Sequence, residues 1–296
     1  MIRRMLAALL ALLLMMGCGV AVAEETPVLI DRIGDPEASP AFAFAEDAPL
    51  LEVIFPQILN CDAILLRCGG ETVLVDCATQ GQAKRIINMC AQLNITRIDR
   101  VINTHPHEDH IGGLRDLIKE VEVGELWICF PADYNSHMVK AVGWAEKAGI
   151  PVKYYADGDV LTVGGATIEV WKLEGKLSEL NDCSAQFYVT FGERTMLMAA
   201  DLEKPGQNRY VEWKGDALDA DVLKYPHHGL EKLTDDYVAA VSPLFMVVTN
   251  NQRSTEGLKY IRRSGIPCAW TVPGFVVLTT DGTTWLVERI LSEVKY

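Results

Sequence analysis

Short apolar runs recur along most of the chain and predict β-strands, because each is bounded by turn-forming residues. The runs cover residues 50–55, 62–68, 72–77, 100–104, 125–130, 167–173, 185–191, 195–200, 220–225, 245–249 and 275–280. Apolar residues with helical spacing lie between them, at Ile86, Ile87, Cys90 and Leu93, and at Val139, Val142, Ala145 and Ala148. Strands in the majority, with helices interspersed, predict an α/β fold in which helices cover two sheets.

The first residues have the features of an export signal. Two arginines precede an apolar run over residues 5–16, and Ala21-Val22-Ala23 supplies the small residues of a cleavage site. The run is too short for a permanent transmembrane helix. An alternative is a lipoprotein signal that ends at residue 17 and leaves Cys18 as a lipidated N-terminus, but the bulky Met16 favours simple cleavage of residues 1–23. We expect an exported protein, secreted or held at the extracytoplasmic face of the membrane.

The rest of the chain divides into a lead-in and one domain. Residues 24–49 are rich in Ala, Pro, Asp and Glu without a sustained period, and are predicted to be a lead-in or tether. Residues 50–296 suffice for a single domain. Removal of the signal leaves 25 basic and 40 acidic residues, so the formal charge moves from −13 to −15. This charge disfavours avid nucleic-acid binding. The eight cysteines show no paired zinc-finger spacing, and the sequence assigns no disulfides.

Five of the six histidines fall in two clusters, each directly after a predicted strand. The first cluster comprises His105, His107, Asp109 and His110, and the second comprises His227 and His228. A catalytic divalent metal needs imidazoles and carboxylates that converge from one side. In an extended stretch His105 and His107 point the same way and can share one metal, while Asp109 and His110 can bind a second. The alternative is a histidine-rich surface loop.

The segment His105-Pro106-His107-Glu108-Asp109-His110 resembles the HxHxDH signature of the metallo-β-lactamase superfamily. This resemblance implies an αββα sandwich of two mixed sheets flanked by helices. It also implies that Asp76 supports the metal loop and that Asp201 bridges two metals. On local sequence alone, Asp76 could be a turn residue and Asp201 a helix N-cap. One of the adjacent histidines would complete the second metal site. His228 is favoured, and His227 would then face the substrate as a proton donor or phosphate contact.

Within the superfamily the chain is most similar to the soluble domain of ComEC-type competence proteins. The similar segments occur in the same order and comprise residues 60–63, 181–184, 197–201 and 223–229. Bacterial phosphorylcholine esterases are also similar around the double histidine. The ComEC-like group lacks the third histidine that many superfamily members supply to the first metal, and carries an Asn-Asp-x-Ser stretch instead. Asn181 or Asp182 is therefore expected beside the first metal, with a role in a turn as the alternative.

These resemblances imply an exported hydrolase with two divalent metal ions, zinc by default and manganese as the alternative. The expected activity is that of a phosphodiesterase that uses a metal-bridging hydroxide, with Asp109 or His227 handling the leaving-group proton. The substrate would be a small-molecule or envelope phosphoester, since the acidity disfavours nucleic acid, and membrane contact would come only through a lipid anchor. One alternative is a β-lactam, lactone or thioester hydrolase, which the missing third histidine weakens. Another is a non-catalytic metal- or ligand-binding module.

Overall fold

The strands of the chain form two sheets. A computed structural model describes residues 28–30, 43–173, 179–251 and 256–290, and within these ranges one sheet has nine strands and the other seven. In pairing order, the larger sheet consists of β1 (Val28–Ile30), β16 (Trp285–Ile290), β15 (Phe275–Thr280), β2 (Leu51–Phe55), β3 (Ile64–Cys68), β4 (Glu71–Val75), β5 (Arg97–Asn103), β6 (Glu122–Ile128) and β7 (Val152–Tyr154). The smaller sheet consists of β14 (Cys268–Trp270), β13 (Phe245–Val248), β12 (Val222–Lys224), β11 (Arg194–Met198), β10 (Gln186–Phe191), β9 (Ala166–Trp171) and β8 (Val160–Val163).

Each sheet contains a block of parallel strands. Strands β4 to β7 pair in parallel in the larger sheet, and β11 to β14 do so in the smaller one. The pair β1 and β16 is also parallel, and the other described pairs are antiparallel. The carboxyl ends of the strands in a parallel block lie at one edge of its sheet, so loops that follow these strands can bring their side chains together.

Helices cover the outer face of each sheet. The helices are α1 (Ala83–Gln92), α2 (Glu108–Ile111), α3 (Leu114–Glu120), α4 (Ser136–Lys147), α5 (Lys204–Lys214), α6 (Asp235–Val241) and α7 (Glu256–Ser264). Buried residues of α1 to α4 pack on the larger sheet, and buried residues of α5 to α7 pack on the smaller. A third apolar cluster fills the space between the sheets. This arrangement confirms the predicted sandwich of two mixed sheets flanked by helices.

The spacing of apolar residues within each element explains which face of it is buried. In β9, Ala166, Ile168 and Val170 point into the space between the sheets, while Thr167 and Glu169 are exposed, because successive side chains of a strand face opposite sides. In α1, Ala83, Ile86, Met89 and Cys90 share one buried face through their helical spacing.

All eleven predicted strands occur in the structure. Strand β1 lies in the segment 24–49 that was expected to be a lead-in, and it pairs with β16, so this part of the segment belongs to the sheet. The predicted signal, residues 1–23, lies outside the described residues. Within the described ranges, no helix has the length and apolar character needed to cross a membrane, and no disulfide joins the cysteines.

Candidate metal centre

The site residues lie in loops at strand ends of both sheets. Asp76 directly follows β4, the first histidine cluster follows β5, Asp201 follows β11 and His228 follows β12. All four strands belong to the parallel blocks, so each loop starts at a carboxyl end. Contacts between these side chains bring the two edges together into one site that spans both sheets.

Four of the sequence-predicted residues converge. Asp109, His110, Asp201 and His228 each present a ligand atom, and these atoms lie within 4.8 Å of one another. Asp201 Oδ2 is 3.0 Å from His110 Nε2 and 3.3 Å from His228 Nε2, and Asp109 Oδ2 is 3.5 Å from His228 Nε2. Both nitrogens are buried without an aligned hydrogen bond. Buried polar atoms are normally hydrogen-bonded, so this donor set of imidazoles and carboxylates fits a divalent cation.

His105 and His107 form an adjacent pair of donors. His105 Nε2 lies 3.0 Å from His107 Nδ1 and 4.0 Å from Asp201 Oδ2. Burial lowers the pKa of both imidazoles, so both are neutral near pH 7 and can offer a lone pair. Asp201 therefore lies between two sets of ring nitrogens, those of His105 and His107 and those of His110 and His228.

Asp76 orients His110. Its carboxylate is buried and accepts hydrogen bonds from Asn103 Nδ2 (2.9 Å), Thr104 N (2.8 Å) and Thr104 Oγ1 (2.7 Å), and it lies 2.7 Å from His110 Nδ1. Asp76 has a left-handed backbone (φ +57°), which Asp tolerates better than most residues. Because Nδ1 of His110 faces this carboxylate, Nε2 points to Asp201, as in the carboxylate–histidine pairs of metal sites.

Asp62 orients His228 from the other side. Asp62 Oδ1 lies 3.1 Å from His228 Nδ1 and accepts a hydrogen bond from Thr249 Oγ1 at 2.8 Å. The second oxygen of Asp62 accepts a hydrogen bond from the buried Lys224 ammonium. Sequence reasoning assigned no role to Asp62, Lys224 or Thr249. The position of Lys224 at the end of an apolar strand could have indicated a buried acidic partner, because a buried ammonium must be paired.

The structure separates the two adjacent histidines. His228 is buried in the four-residue cluster, whereas the side chain of His227 is 20% exposed and its Nε2 lies 4.0 Å from Asp201 Oδ2. Both have a left-handed backbone (φ +48° and +52°), which sends the side chains in different directions. Gly229 continues this turn (φ +75°), and a Cβ there would lie 2.7 Å from Val248 Cγ1.

Asn181 and Asp182 have different surroundings. The Asn181 side chain contacts the imidazole of His107 and donates a hydrogen bond from Nδ2 to Glu203 Oε1 at 2.7 Å. Asp182 Oδ1 instead accepts from the backbone N–H of Glu203 at 2.9 Å, at the start of α5. Glu203 Oε1 is also 3.6 Å from His227 Nδ1, and sequence reasoning missed this residue. Asn181 is therefore placed beside the first histidine pair, and Asp182 supports a helix start.

The electrostatics of the cluster favour charged pairs before a cation binds. Burial would lower the pKa of His110 and His228, but the carboxylate of Asp201, with Asp76 or Asp62, raises each well above its usual range. Burial would raise the pKa of Asp109, but the imidazole of His228, whose Nε2 lies 3.5 Å away, and the charge of His110 lower it to about 2. A cation that binds here must therefore displace protons from the two imidazoles.

Sequence comparison finds relatives that support the predicted resemblance. The chain is 26% identical over 170 residues to ComE operon protein 3 of Bacillus subtilis, a match that covers 56% of this chain and 22% of the relative. It is 28% identical over 119 residues to ribonuclease Z of Bradyrhizobium diazoefficiens, which covers 37% of this chain and 38% of that protein. It is 24% identical over 178 residues to ribonuclease Z of Archaeoglobus fulgidus, a match that covers 55% of this chain and 57% of that protein. The matches thus span from about a fifth to under three fifths of these relatives.

Structure comparison shows the same fold. The metallo-beta-lactamase fold protein YhfI from Bacillus subtilis superimposes with a TM-score of 0.53 at 14% identity, over 75% of this chain and 95% of that protein. A mutant of the CmlA beta-hydroxylase gives a TM-score of 0.52 at 16% identity, over 81% of this chain and 55% of that protein. The sequence profile of the metallo-beta-lactamase superfamily matches residues 57–241, a range that contains every residue of the cluster. The chain therefore belongs to the metallo-β-lactamase superfamily and shares the fold of its metal-dependent hydrolases.

Proposed function

We propose that this protein is an exported phosphodiesterase that uses two divalent cations. The observation that carries the proposal is the convergence of His110 Nε2 and His228 Nε2, both buried and without hydrogen-bond partners, on the carboxylates of Asp109 and Asp201. Asp109, His110 and His228 would hold one cation, the pair His105 and His107 would hold the other, and Asp201 would contact both. Zinc suits the four nitrogen donors, and manganese is the alternative because of the carboxylates.

Residues of the chain would orient the metal ligands and transfer the proton. Bound cations would supply a water activated near neutral pH and positive charge for the anionic ester. Asp76 and Asp62 hold the ring planes of His110 and His228. His227 would give a proton to a leaving group; its partial exposure beside the cluster and Glu203 Oε1, 3.6 Å from its Nδ1, support this role. Asp109, which is 33% exposed, is the alternative proton carrier.

Two observations support a phosphodiester substrate. Two of the relatives are named ribonuclease Z, and RNA is a phosphodiester polymer. The side chain beside His107 is Asn181 and not a third histidine, as the resemblance to the ComEC-like group implies. The net charge of −13 favours a small or envelope phosphoester over long nucleic acid, because a field of this sign repels polyanions.

The test is a substrate screen with controlled metal content. Protein stripped with a chelator is reloaded with Zn²⁺ or Mn²⁺ and assayed on bis-p-nitrophenyl phosphate, RNA, DNA, choline phosphoesters, nitrocefin, a lactone and a thioester. Asp201→Asn removes the shared carboxylate charge, and His137→Ala is the matched control because His137 lies on α4, outside both histidine clusters.

The outcomes discriminate among the candidate functions. We expect metal-dependent phosphodiester hydrolysis by the wild type and His137→Ala, and a loss of at least about 100-fold in Asp201→Asn. Preference for nitrocefin, lactone or thioester would replace the phosphodiesterase proposal with the second enzyme class. Metal binding without any turnover would favour a binding module, and failure to bind metal would refute the proposed centre.

Export is tested separately on the native chain. Cell fractionation and mass spectrometry of the mature N-terminus should find the protein outside the cytoplasm and starting at residue 24. A lipidated N-terminal Cys18 would show the lipoprotein alternative. Recovery of the uncleaved chain from the cytoplasm would contradict export.

A further inference from the structure

A lysine is buried at the end of the strand that leads to the double histidine. The Lys224 side chain is 0% exposed, and its neighbours in β12, Val222 and Leu223, are buried apolar residues. An ammonium in such a place is costly unless it is paired and hydrogen-bonded. Its Nζ donates hydrogen bonds to Asp62 Oδ2 and, at 2.8 Å, to the carbonyl oxygen of Ala200. It also lies 3.9 Å from Asp201 Oδ1.

The contact between Lys224 and Asp62 determines which oxygen of Asp62 faces His228. Because Lys224 engages Oδ2 of Asp62, the other oxygen, Oδ1, faces Thr249 Oγ1 and His228 Nδ1. A carboxylate at Nδ1 keeps the proton on that nitrogen, which leaves the Nε2 lone pair for the cluster. Lys224 thus acts on His228 through Asp62.

Lys224 also acts on Asp201, through its contacts with Ala200 and with Asp201 itself. Its Oδ1 is buried and makes no hydrogen bond, and the nearby ammonium compensates its charge. Its Oδ2 is the oxygen that faces His110 and His228. The hydrogen bond from Lys224 to the carbonyl of Ala200, the residue before Asp201, fixes the backbone from which this carboxylate projects.

We propose that Lys224 is a positioning residue of the metal centre, one buried cation that orients both the Asp62–His228 pair and the Asp201 carboxylate. The inference rests on the proposed metal site. A lysine that only neutralised Asp62 would be dispensable once Asp62 is made neutral, whereas a lysine that also orients Asp201 would still be required. This difference allows the two roles to be separated.

The experiment compares metal binding in five proteins, the wild type and four variants. Lys224→Met removes the charge at similar volume and leaves Oδ2 of Asp62 without its cation. The double variant Lys224→Met/Asp62→Asn removes both charges, and Asp62→Asn alone is its reference, because it changes the partner of His228 in the same way and keeps Lys224. The matched control is Arg194→Met, which removes a largely buried cation that contacts Asp221 at the opposite end of the same sheet. Full-length proteins are titrated with Zn²⁺ alone by calorimetry, and the Co²⁺-loaded forms are compared by absorption spectroscopy. Circular dichroism reports the fold.

We expect the double variant to fold and to bind the more weakly held Zn²⁺ about 10- to 100-fold less tightly than Asp62→Asn does, with a different Co²⁺ spectrum. Arg194→Met should match the wild type in both measurements. A double variant with the affinity and spectrum of Asp62→Asn would overturn the proposal, because Lys224 would then serve only to neutralise Asp62. A double variant that fails to fold would also overturn it, since the ammonium would then be required for the fold. A wild type that binds no metal would instead refute the proposed function.

Discussion

Asp76→Asn tests whether a buried carboxylate controls the metal centre through the proton of His110. Asp76 faces four donors, Asn103 Nδ2, Thr104 N, Thr104 Oγ1 and His110 Nδ1, all at 2.7 to 2.9 Å. Asparagine keeps the size and tolerates the left-handed backbone, but it replaces one acceptor oxygen with an NH₂ donor. If this NH₂ faces His110, Nδ1 must become the acceptor and the proton must move to Nε2, the nitrogen that points to Asp201.

The magnitude follows from these contacts. Hydrogen bonds to a charged group contribute about 1.5 to 3 kcal/mol, against about 1 kcal/mol for neutral pairs, and two of the four bonds must reverse their donor and acceptor roles. We therefore expect Asp76→Asn to lower the free energy of unfolding of the metal-free protein by about 2 to 4 kcal/mol. The altered tautomer of His110 should weaken metal binding by about 10- to 100-fold.

The assay combines urea unfolding in the presence of a chelator with calorimetric titration of Zn²⁺. Asp99→Asn is the matched control, because Asp99 accepts a hydrogen bond from Thr72 N at 2.9 Å near the other end of β4 and β5 and has no contact with the cluster. Asp99→Asn should keep the metal affinity of the wild type. Wild-type Zn²⁺ affinity in folded Asp76→Asn would refute the argument that this carboxylate fixes the tautomer.

Three further predictions concern the site and its support. His228→Ala should abolish binding of one Zn²⁺ equivalent, whereas His227→Ala should keep both and lower turnover by about 10²- to 10⁴-fold, and equal loss of metal in the two variants would contradict their separation. The pKa of His110 is raised in the metal-free protein, so its contribution to stability is complete below about pH 6.5 and is lost as pH rises through the raised value. Zn²⁺ binding near pH 7 should therefore release protons and tighten as pH rises, and titration heats that do not change with buffer ionisation enthalpy would contradict this. Gly113→Ala would place a Cβ 1.9 Å from a backbone carbonyl and should cost at least about 1 to 3 kcal/mol in urea unfolding, whereas Gly143→Ala, in open space on α4, should be neutral or stabilising.

The period of the apolar residues was sufficient to find most of the sheets and two of the helices. Long runs such as 185–191 and 275–280 became β10 and β15, because a strand with a buried face requires this local pattern. Strands β1, β7, β8, β14 and β16 were missed. The first four have three or four residues each, too few to display a period, and in β16 the charged Glu288 and Arg289 interrupt the apolar run. Helix α5 was missed because few of its residues are buried, among them Gly206, Gln207 and Tyr210.

The sequence by itself determined the chemistry at the centre of the site: histidines and carboxylates at strand ends in a spacing that one family shares. The tertiary structure decided which of them converge. It separates His228 from His227 by consecutive left-handed residues, and it brings Lys224 to Asp62 across 162 positions of the chain. Local spacing sets the direction of a side chain within one strand or turn. Contacts between the two sheets depend on how their layers pack, which no single segment of sequence contains.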